Sequence, residues 1–197
     1  MAEALQNANI ATPKTVIVHK DNRNNVIEQT GLPCVLKAPD STFSFGVKKA
    51  KTEDEFNTLV TQMLKESELI IAQEFCPSTY DWRIGIIDDK PFFACKYYMA
   101  KDHWQIYNWD AKKKDDQDGN ADCLPIEKVP KKVLSMALKS AKLMGKGLYG
   151  IDIKVIDNVP VVIEINDNPN IDFGVEDRYY GDAVYSEIIN AFKIRLD

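Results

Sequence analysis

A stretch near the C-terminal end of the chain, residues 148–170, constrains the fold more than any other. It contains two runs rich in β-branched residues, separated by the pair Asp157-Asn158. Runs of this kind around a short polar pair are typical of a β-hairpin. Alternate side chains of a strand point to the same face, so Glu164 and Asn166 share a face of the second run. The sequence therefore predicts a hairpin that carries an acid within an apolar strand, where an unpaired acid is costly.

The length of the turn decides whether Asp152 of the first run lies opposite Glu164. A turn with an odd number of residues, such as residues 157–159, places the two acids directly opposite each other, with their Cβ atoms about 4.5–5.5 Å apart. A two-residue turn instead places Glu164 opposite Ile151 and sends the acids to opposite faces. With the odd turn, Asp152, Glu164 and Asn166 form one cluster of oxygen donors.

This cluster has two interpretations. Neighbouring carboxylates repel each other unless a proton or a cation lies between them. Hard oxygen ligands on a half-exposed sheet face suit magnesium, which commonly binds through one or two carboxylates and the phosphates of a substrate. The alternative is an edge hairpin whose polar face lies in water. The two acids alone favour this alternative, but Asn166 and the odd turn make the metal site an equally good interpretation.

Composition limits the possible partners and the compartment. The net charge of −5 argues against nucleic acid or an anionic membrane as the main partner. The N-terminus lacks the pattern of a signal peptide, and no apolar run is long enough to span a bilayer. The four cysteines show no C-x-x-C spacing, and Cys34, Cys76 and Cys95 lie in apolar runs. We therefore expect reduced core cysteines in a cytoplasmic protein, not disulfides or zinc ligands.

The order of the elements predicts an α+β fold with two lobes. Strands outnumber those of a pure βαβ pattern, which argues against a doubly wound sheet. The 197 residues suffice for two small lobes, and Pro77 marks the boundary, so we expect a first lobe of residues 1–76 and a second of residues 77–197. The aromatic residues 103–109 predict a further strand, and a closing helix at 182–194 is expected to turn Ile189 and Phe192 inward.

Lys37 ends an apolar strand and precedes a loop of small residues, 39–47. Lysine is a compact point charge suited to phosphate, and Ser41, Ser44 and Gly46 could let backbone N–H groups approach an anion. Alone this signal is weak, because lysine ends many strands and the loop has a single glycine. The aromatic residues Phe43 and Phe45 indicate a flap that closes over a flat ligand.

Two further motifs lie near the predicted lobe boundary. Gln73-Glu74-Phe75 ends a strand, and clefts between lobes are preferred ligand sites, although Glu74 is equally explained as a solvated strand-end residue. Asp81 and Arg83 share one face of the next strand, and a surface ion pair is their simplest interpretation. Lys96 lies in mid-strand, and with Lys37 and Arg83 it makes a basic set that could face the acidic hairpin.

The order of these features resembles the ATP-grasp fold, and within it the RimK-like carboxylate–amine ligases, kin of bacterial glutathione synthetase. The resemblance covers essentially the whole chain and is most specific over residues 71–83 and 147–170. It implies two α+β lobes with ATP held between them. It also implies transfer of a phosphoryl group from ATP to a carboxylate, after which an amine attacks the acyl phosphate to give an amide, ADP and phosphate.

The resemblance also implies roles for individual residues. Those implied to bind ATP are Lys37 at the phosphates, Ser41, Ser44 and Gly46 in the flap, Gln73, Glu74 and Phe75 at the adenine, and Asp81 on the nucleoside side. Those implied to hold magnesium or manganese are Asp152, Glu164 and Asn166. Arg83, Lys96 and Asn108 are implied to act near the γ-phosphate or the acyl phosphate.

Three departures from the family pattern stand out. The flap has serines where the family usually has glycines, and the arginine expected just before Asn108 is absent, so Gln105 or Lys96 could serve instead. The family also has an N-terminal substrate-binding domain and an ATP-contacting lysine at the start of its first helix. Because the chain begins inside that helix, we expect an ATP-grasp domain without its substrate domain.

Two other functions remain open at this level. A kinase could use the same ATP site to phosphorylate a small molecule, and an assay that separates an amide from a phosphate ester would distinguish it. A nucleotide-binding module without turnover is the other alternative, against which the complete Asp152, Glu164 and Asn166 set argues. For the ligase, the expected partners are ATP, a small-molecule or peptide carboxylate, and an amine.

Overall fold

The structure is a computed structural model in which residues 1–39 and 44–196 are described. The α-helices within these ranges are α1 (Ala2–Asn7), α2 (Val26–Thr30), α3 (Glu53–Glu66), α4 (Lys131–Met144) and α5 (Ala183–Lys193). The strands are β1 (Thr15–Val18), β2 (Cys34–Lys37), β3 (Val47–Ala50), β4 (Ile70–Glu74), β5 (Tyr80–Ile87), β6 (Lys90–Tyr98), β7 (Ala121–Leu124), β8 (Leu148–Ile156) and β9 (Val159–Asn166).

The chain folds into two compact units. The small unit is Pro13–Pro77, and the large unit combines Met1–Thr12 with Ser78–Asp197. This division differs from the predicted lobes, which assigned the first twelve residues to the first lobe. The reason is burial, because Leu5 and Ile10 belong to the apolar core of the large unit. The backbone N–H of Val162 in β9 also donates to the carbonyl of Ala11.

The small unit is an antiparallel sheet of order β1-β4-β2-β3 with helices α2 and α3. Helix α3 begins at a side-chain cap, where the Thr52 hydroxyl accepts a hydrogen bond from the backbone N–H of Glu55 at 3.2 Å. The apolar stripe of α3 then packs on the sheet. The buried core of this unit is Val18, Val26, Cys34, Leu36, Ala50, Phe56, Val60, Ile70 and Ala72.

The large unit is an antiparallel sheet of order β7-β6-β5-β8-β9. One surface, the α4 face, packs against α1 and α4 through Trp82, Ile84 and Ile151. The opposite surface, the α5 face, carries Phe93 and Cys95, which pack with Val184 of α5. Because successive side chains of a strand alternate between faces, every polar residue of β5 and β8 can be assigned to one face.

Several predicted elements differ from the structure. Residues 103–109 form no strand; Tyr107 makes one isolated bridge to Asp118, and its ring stacks on Trp109 at a centroid distance of 5.4 Å. The aromatic residues contact each other, and β7, which was not predicted, pairs with β6 instead. Strand β3 was also missed.

The apolar stripe predicted for the closing helix is wrong in its second half. Val184 is buried, but Ile189 is 65% exposed and Phe192 is 42% exposed. The helix therefore contacts the sheet with its first turns.

The prediction of reduced cysteines is wrong for Cys95 and Cys123. These residues lie at directly opposite positions of β6 and β7 and form a disulfide. The pairing was not foreseen because it depends on β7. Cys34 is a buried free thiol, and burial raises its pKa. No helix in the described ranges combines the length and the apolar content needed to span a bilayer.

Candidate functional site on the α5 face

The β8–β9 hairpin turns through two residues. Ile156 pairs with Val159, and both Asp157 (φ 47°) and Asn158 (φ 66°) have the positive φ of a type I′ turn. The predicted odd turn is therefore wrong.

Asp152 nevertheless lies opposite Glu164, because a β-bulge interrupts the ladder. Ile153 pairs with Val162 while Asp152 pairs with Glu164, so Ile163 is the extra residue. A bulge inserts one residue on one strand and re-aims the side chains that follow it. The predicted juxtaposition of the two acids is thus present, but it is produced by a bulge within β9 and not by the turn.

Asp152 is the centre of the site. Its carboxylate accepts two hydrogen bonds from Arg83, from Nε at 2.8 Å and from Nη2 at 2.7 Å. The two residues are register partners in β5 and β8, and their side chains are 19% and 12% exposed. The side-chain amide of Asn166 donates to the same carboxylate at 3.2 Å. Arg83, Asp152 and Asn166 are therefore brought together, with Glu164 opposite Asp152.

A second ion pair lies beside the first on the same face. Lys154 Nζ donates to Asp81 Oδ1 at 2.6 Å and to Ser78 Oγ at 2.7 Å, and the Ser78 hydroxyl lies 3.0 Å from the same Asp81 oxygen. Burial raises the pKa of Asp81, and the positive charge of Lys154 opposes that rise. The predicted pairing of Asp81 with Arg83 along one strand is wrong, because each residue pairs across to β8.

Arg83 has an aromatic contact and a third acid near it. Its guanidinium carbon lies 5.2 Å from the centroid of the Tyr97 ring, and the Tyr97 hydroxyl donates to Glu176. Burial alone would lower the pKa of Arg83, but Asp152 outweighs it, and Tyr97 and Glu176 act in the same direction as Asp152. The guanidinium is therefore firmly cationic.

Lys96 does not join this group. It is the register partner of Trp82 in β5, so it belongs to the α4 face, opposite to Arg83. Its ammonium group lies 4.6 Å from the centroid of the Tyr80 ring and 5.0 Å from that of Trp82. The expectation that Lys96 and Arg83 face the acidic hairpin together is therefore wrong for Lys96.

Asn108 lies in the irregular connection between β6 and β7. Its backbone N–H donates to the carbonyl of Gln117 at 2.6 Å, and its carbonyl accepts from Ala111. Burial raises the pKa of the adjacent Tyr107 hydroxyl, and the charge of Arg83 opposes that rise. The role expected for Asn108 stays a prediction.

The residues predicted to hold adenine lie in the small unit. Gln73 is 5% exposed, and its side-chain amide donates to Thr15 Oγ1 at 3.1 Å. The backbone N–H of Glu74 donates to the carbonyl of Lys14 at 2.8 Å, and its carboxylate accepts from the N–H of Lys14 at 3.2 Å. Lys49 Nζ lies 4.4 Å above the Phe75 ring. Gln73 is therefore buried and hydrogen-bonded within the small unit, and the adenine-binding roles of Gln73, Glu74 and Phe75 stay predictions.

The predicted phosphate loop is described only in part. Ser41 and Phe43 lie outside the described residues. Ser44 (φ 61°) and Gly46 (φ 70°) form a turn in which Gly46 O accepts from the N–H of Ala38 at 3.1 Å. The turn leads directly into β3, which pairs with β2 so that Val47 lies opposite Lys37. The flap and the phosphate contact of Lys37 stay predictions.

The candidate magnesium ligands fit a hard cation in their chemistry. They comprise two carboxylates and one amide, with Asp152 and Glu164 in register and Asn166 in hydrogen-bond contact with Asp152. Among the described residues, no three His, Cys, Asp or Glu side chains form a metal-binding group. Hydrogen bonds from Arg83 and Asn166 occupy most acceptor positions of the Asp152 carboxylate. A cation at Asp152 therefore competes with Arg83.

Sequence reasoning missed Ser78, Lys154, Tyr97 and Glu176. Lys154 had a signal, because it stands two residues from Asp152 and so must share its face. The other three had none, since their contacts depend on which strands are neighbours and on how the segment after β9 folds back.

The amino-acid sequence of the chain matches a known protein family. Residues 5–172 match the model described as the D-ala D-ala ligase C-terminus. The chain belongs to this family. A probable alpha-L-glutamate ligase of Vibrio vulnificus (strain YJ016) is 28% identical over 178 residues, which cover 88% of this chain and 56% of that protein. A D-alanine--D-alanine ligase of Christiangramia forsetii is 29% identical over 152 residues, covering 76% of this chain and 46% of that protein.

Solved structures give the same fold for this member of the D-ala D-ala ligase C-terminus family. D-alanine--D-alanine ligase from Bacillus anthracis superposes with a TM-score of 0.77 at 19% identity, over 98% of this chain and 66% of that one. The ATP-grasp ligase PsnB, complexed with a minimal precursor, magnesium and ADP, superposes with a TM-score of 0.68 at 18% identity, over 96% of this chain and 57% of that one. The predicted ATP-grasp fold of class α+β is therefore confirmed. The chain spans about half the length of the curated relatives, 56% in the first case.

Proposed function

We propose that this chain is the ATP-grasp part of an ATP-dependent carboxylate–amine ligase. The observation that carries the proposal is the grouping of Arg83, Asp152, Glu164 and Asn166 on one face of the large-unit sheet, within a chain of this family. The relatives named as ligases support the same class of reaction. The substrates are ATP, a small-molecule or peptide carboxylate, and an amine.

The reaction balances without a nucleophile from the protein. A carboxylate oxygen of the first substrate bonds to the γ-phosphorus of ATP while the bond from that phosphorus to ADP breaks. The nitrogen of the amine then attacks the acyl carbon, phosphate leaves, and the nitrogen loses a proton. Catalysis of this kind consists of positioning the reactants and neutralising charge.

The residues of this chain take roles that follow from their chemistry. Lys37 offsets the charge of the ATP phosphates, and Arg83 donates to the γ-phosphate or to the acyl phosphate. Asp152, Glu164 and Asn166 hold Mg²⁺ or Mn²⁺. The bound cation neutralises phosphate charge. Asp81, which Lys154 neutralises in the absence of ATP, binds on the nucleoside side.

A cytoplasmic location is part of the proposal, because the reaction consumes ATP. The Cys95–Cys123 disulfide would be an exception in that compartment, since cytosolic reductants maintain most cysteines as thiols.

Thermal melting with nucleotide tests the proposal. Mg-ATP should raise the melting temperature of the chain, because a ligand that binds only the folded state stabilises it by mass action. Lys37→Ala should reduce the shift. Lys48→Ala is the matched control, since Lys48 is an exposed lysine on the neighbouring strand β3. The absence of any shift at millimolar Mg-ATP, or an equal loss in both variants, would count against the proposal.

A further inference from the structure

Glu176 is a deeply buried acid in the segment between β9 and α5. Its residue is 1% exposed, and its carboxylate accepts hydrogen bonds from the Tyr97 hydroxyl and from the backbone N–H of Asp172 at 2.8 Å. Burying a carboxylate is costly unless hydrogen bonds and an opposite charge compensate for it. The Tyr97 hydroxyl and the Asp172 amide supply the hydrogen bonds that Glu176 needs. The compensating positive charge must come from a neighbouring side chain.

That neighbour is Arg83, whose guanidinium contacts the Tyr97 ring and whose pKa is raised in part by the charge of Glu176, after the larger effect of Asp152. The guanidinium carbon is 5.2 Å from the ring centroid, within the range of a cation–π contact. Burial and then the charge of Glu176 raise the pKa of Tyr97, so its hydroxyl stays a neutral donor. Glu176, Tyr97 and Arg83 therefore form one connected series of contacts across the α5 face.

In the ligand-bound protein, the contacts with Tyr97 and Glu176 would hold the guanidinium of Arg83 when its pair with Asp152 is weakened. In the structure its direct partner is Asp152, through two hydrogen bonds. A cation held by Asp152 would take acceptor positions from Arg83 and loosen that pair. The contact with Tyr97, and the charge of Glu176 behind it, involve none of the candidate metal ligands.

We infer that Glu176 is a positioning residue that acts through Tyr97 to keep the guanidinium of Arg83 aimed at the terminal phosphate of bound ATP. The inference rests on the proposed function, because it uses the phosphate contact assigned there to Arg83. It adds the segment after β9 to the machinery of the site. If Glu176 instead only stabilises its own segment through the hydrogen bond from Asp172, its loss should weaken the binding of the ATP analogue and of ADP equally.

The test compares nucleotides with and without the γ-phosphate. Affinities of the chain for a non-hydrolysable ATP analogue and for ADP, each with Mg²⁺, are measured by titration calorimetry. Glu176→Gln keeps the size of the side chain and removes its charge, and its single amide oxygen can still accept one of the two hydrogen bonds. Its preference for the ATP analogue over ADP should fall about two- to tenfold, as expected for residues coupled in one network. The affinity for ADP should stay unchanged.

The same turn offers a matched control. Asp177 is 5% exposed, and it accepts hydrogen bonds from Gly174 at 2.6 Å and from the Tyr185 hydroxyl at 3.1 Å, with no link to Tyr97. Asp177→Asn should leave the preference for the ATP analogue unchanged. Arg83→Gln should remove most of that preference. Tyr97→Phe keeps the ring and removes the link to Glu176, so it should match Glu176→Gln and replaces it if that variant does not fold.

The outcomes separate the inference from the proposed function. If Arg83→Gln retains the preference, the phosphate role proposed for Arg83 is wrong and the inference falls with it. If Arg83→Gln loses the preference but Glu176→Gln and Tyr97→Phe keep it, only the inference is overturned. An equal loss of ATP-analogue and ADP affinity in Glu176→Gln, shared by Asp177→Asn, would show a structural role and also overturn the inference.

Discussion

Arg83 and Asp152 form two hydrogen bonds with each other, at 2.8 Å and 2.7 Å, although the proposed reaction assigns them different ligands. Arg83 is proposed to bind phosphate, and Asp152 to bind a cation. In the structure without ligands the two charges compensate each other, and each needs the other, because both side chains are largely buried and an unpaired buried charge is costly. Under the proposed function, binding of Mg-ATP would therefore exchange one internal ion pair for two ligand contacts.

Removing Arg83 should strengthen the binding of metal in the absence of nucleotide. In Arg83→Met the Asp152 carboxylate keeps its charge and loses the competing guanidinium, so millimolar Mg²⁺ alone should raise the melting temperature more than in wild type. The comparison uses melts in EDTA and in Mg²⁺. Arg178→Met is the control, because Arg178 donates to the carbonyls of Gly174 and Ala121 and not to a carboxylate. The same Mg²⁺ increment in all three proteins would contradict competition at Asp152.

Glu164→Gln should separate metal binding from folding. Glu164 is exposed, and the neighbouring Asp152 is already compensated by Arg83, so the free energy of unfolding without metal should change by less than about 0.5 kcal/mol. The Mg²⁺-dependent part of the stabilisation by ATP should largely disappear, since a neutral amide is a poorer magnesium ligand than a carboxylate. Melts in EDTA, in Mg²⁺ and in Mg²⁺ with a non-hydrolysable ATP analogue measure both effects. A variant that melts lower in EDTA yet gains the full nucleotide increment would show that Glu164 is structural.

The hairpin shows what sequence periodicity can and cannot determine. Alternation along the second run correctly assigned Glu164 and Asn166 to one face, whereas the assignment of Asp152 to that face depended on an odd turn. The predicted turn was wrong, because a bulge at Ile163, and not an odd turn, brings Asp152 opposite Glu164. Nothing in a run of β-branched residues marks which one is the extra residue, whereas the Asp157-Asn158 pair does favour a two-residue turn. The register could therefore be derived only by assuming the acids to be functional.

The remaining contacts of the site could be predicted only if the order of the strands in the sheet were known. Arg83 and Asp152 are separated by 69 residues, and they meet because β5 lies beside β8. The same adjacency pairs Asp81 with Lys154 and corrects the expectation of an ion pair within β5. The face of Lys96 follows from its pairing with Trp82 and could not be derived from β6 alone.

The stability of the β8–β9 turn should depend on the residue at position 158. Asn158 has φ 66°, a left-handed conformation that asparagine tolerates and a β-branched residue does not. Asn158→Val should lower the free energy of unfolding by about 1–2 kcal/mol, the cost of a left-handed residue, while Asn158→Gly should not. Urea unfolding measures the difference. Equal losses in both variants would indicate that the asparagine side chain, and not the backbone conformation, stabilises the turn.

The second ion pair gives a prediction that depends on pH. Asp81 and Lys154 have side chains 13% and 12% exposed, so Lys154→Met leaves a buried carboxylate without its cation. Breaking such a pair should cost about 3 kcal/mol near neutral pH. The pKa of Asp81 is already raised by burial from its ordinary value of 3.8, and it should rise further once Lys154 no longer opposes the effect.

The loss in free energy of unfolding caused by Lys154→Met should depend on pH with a defined sign. Between the ordinary pKa of Asp81 and its raised pKa in the folded variant, the folded state binds more protons than the unfolded state, so the free energy of unfolding rises as pH falls through that window. The deficit of Lys154→Met relative to wild type should therefore be largest near neutral pH and shrink on acidification. Urea unfolding of both proteins across this range measures it. In the background of Asp81→Asn, which lacks the carboxylate, adding Lys154→Met should lower the free energy of unfolding by an amount that does not vary with pH. A single-variant deficit that stays constant or grows as pH falls would mean that Lys154 stabilises the fold by packing its aliphatic chain and not by neutralising Asp81.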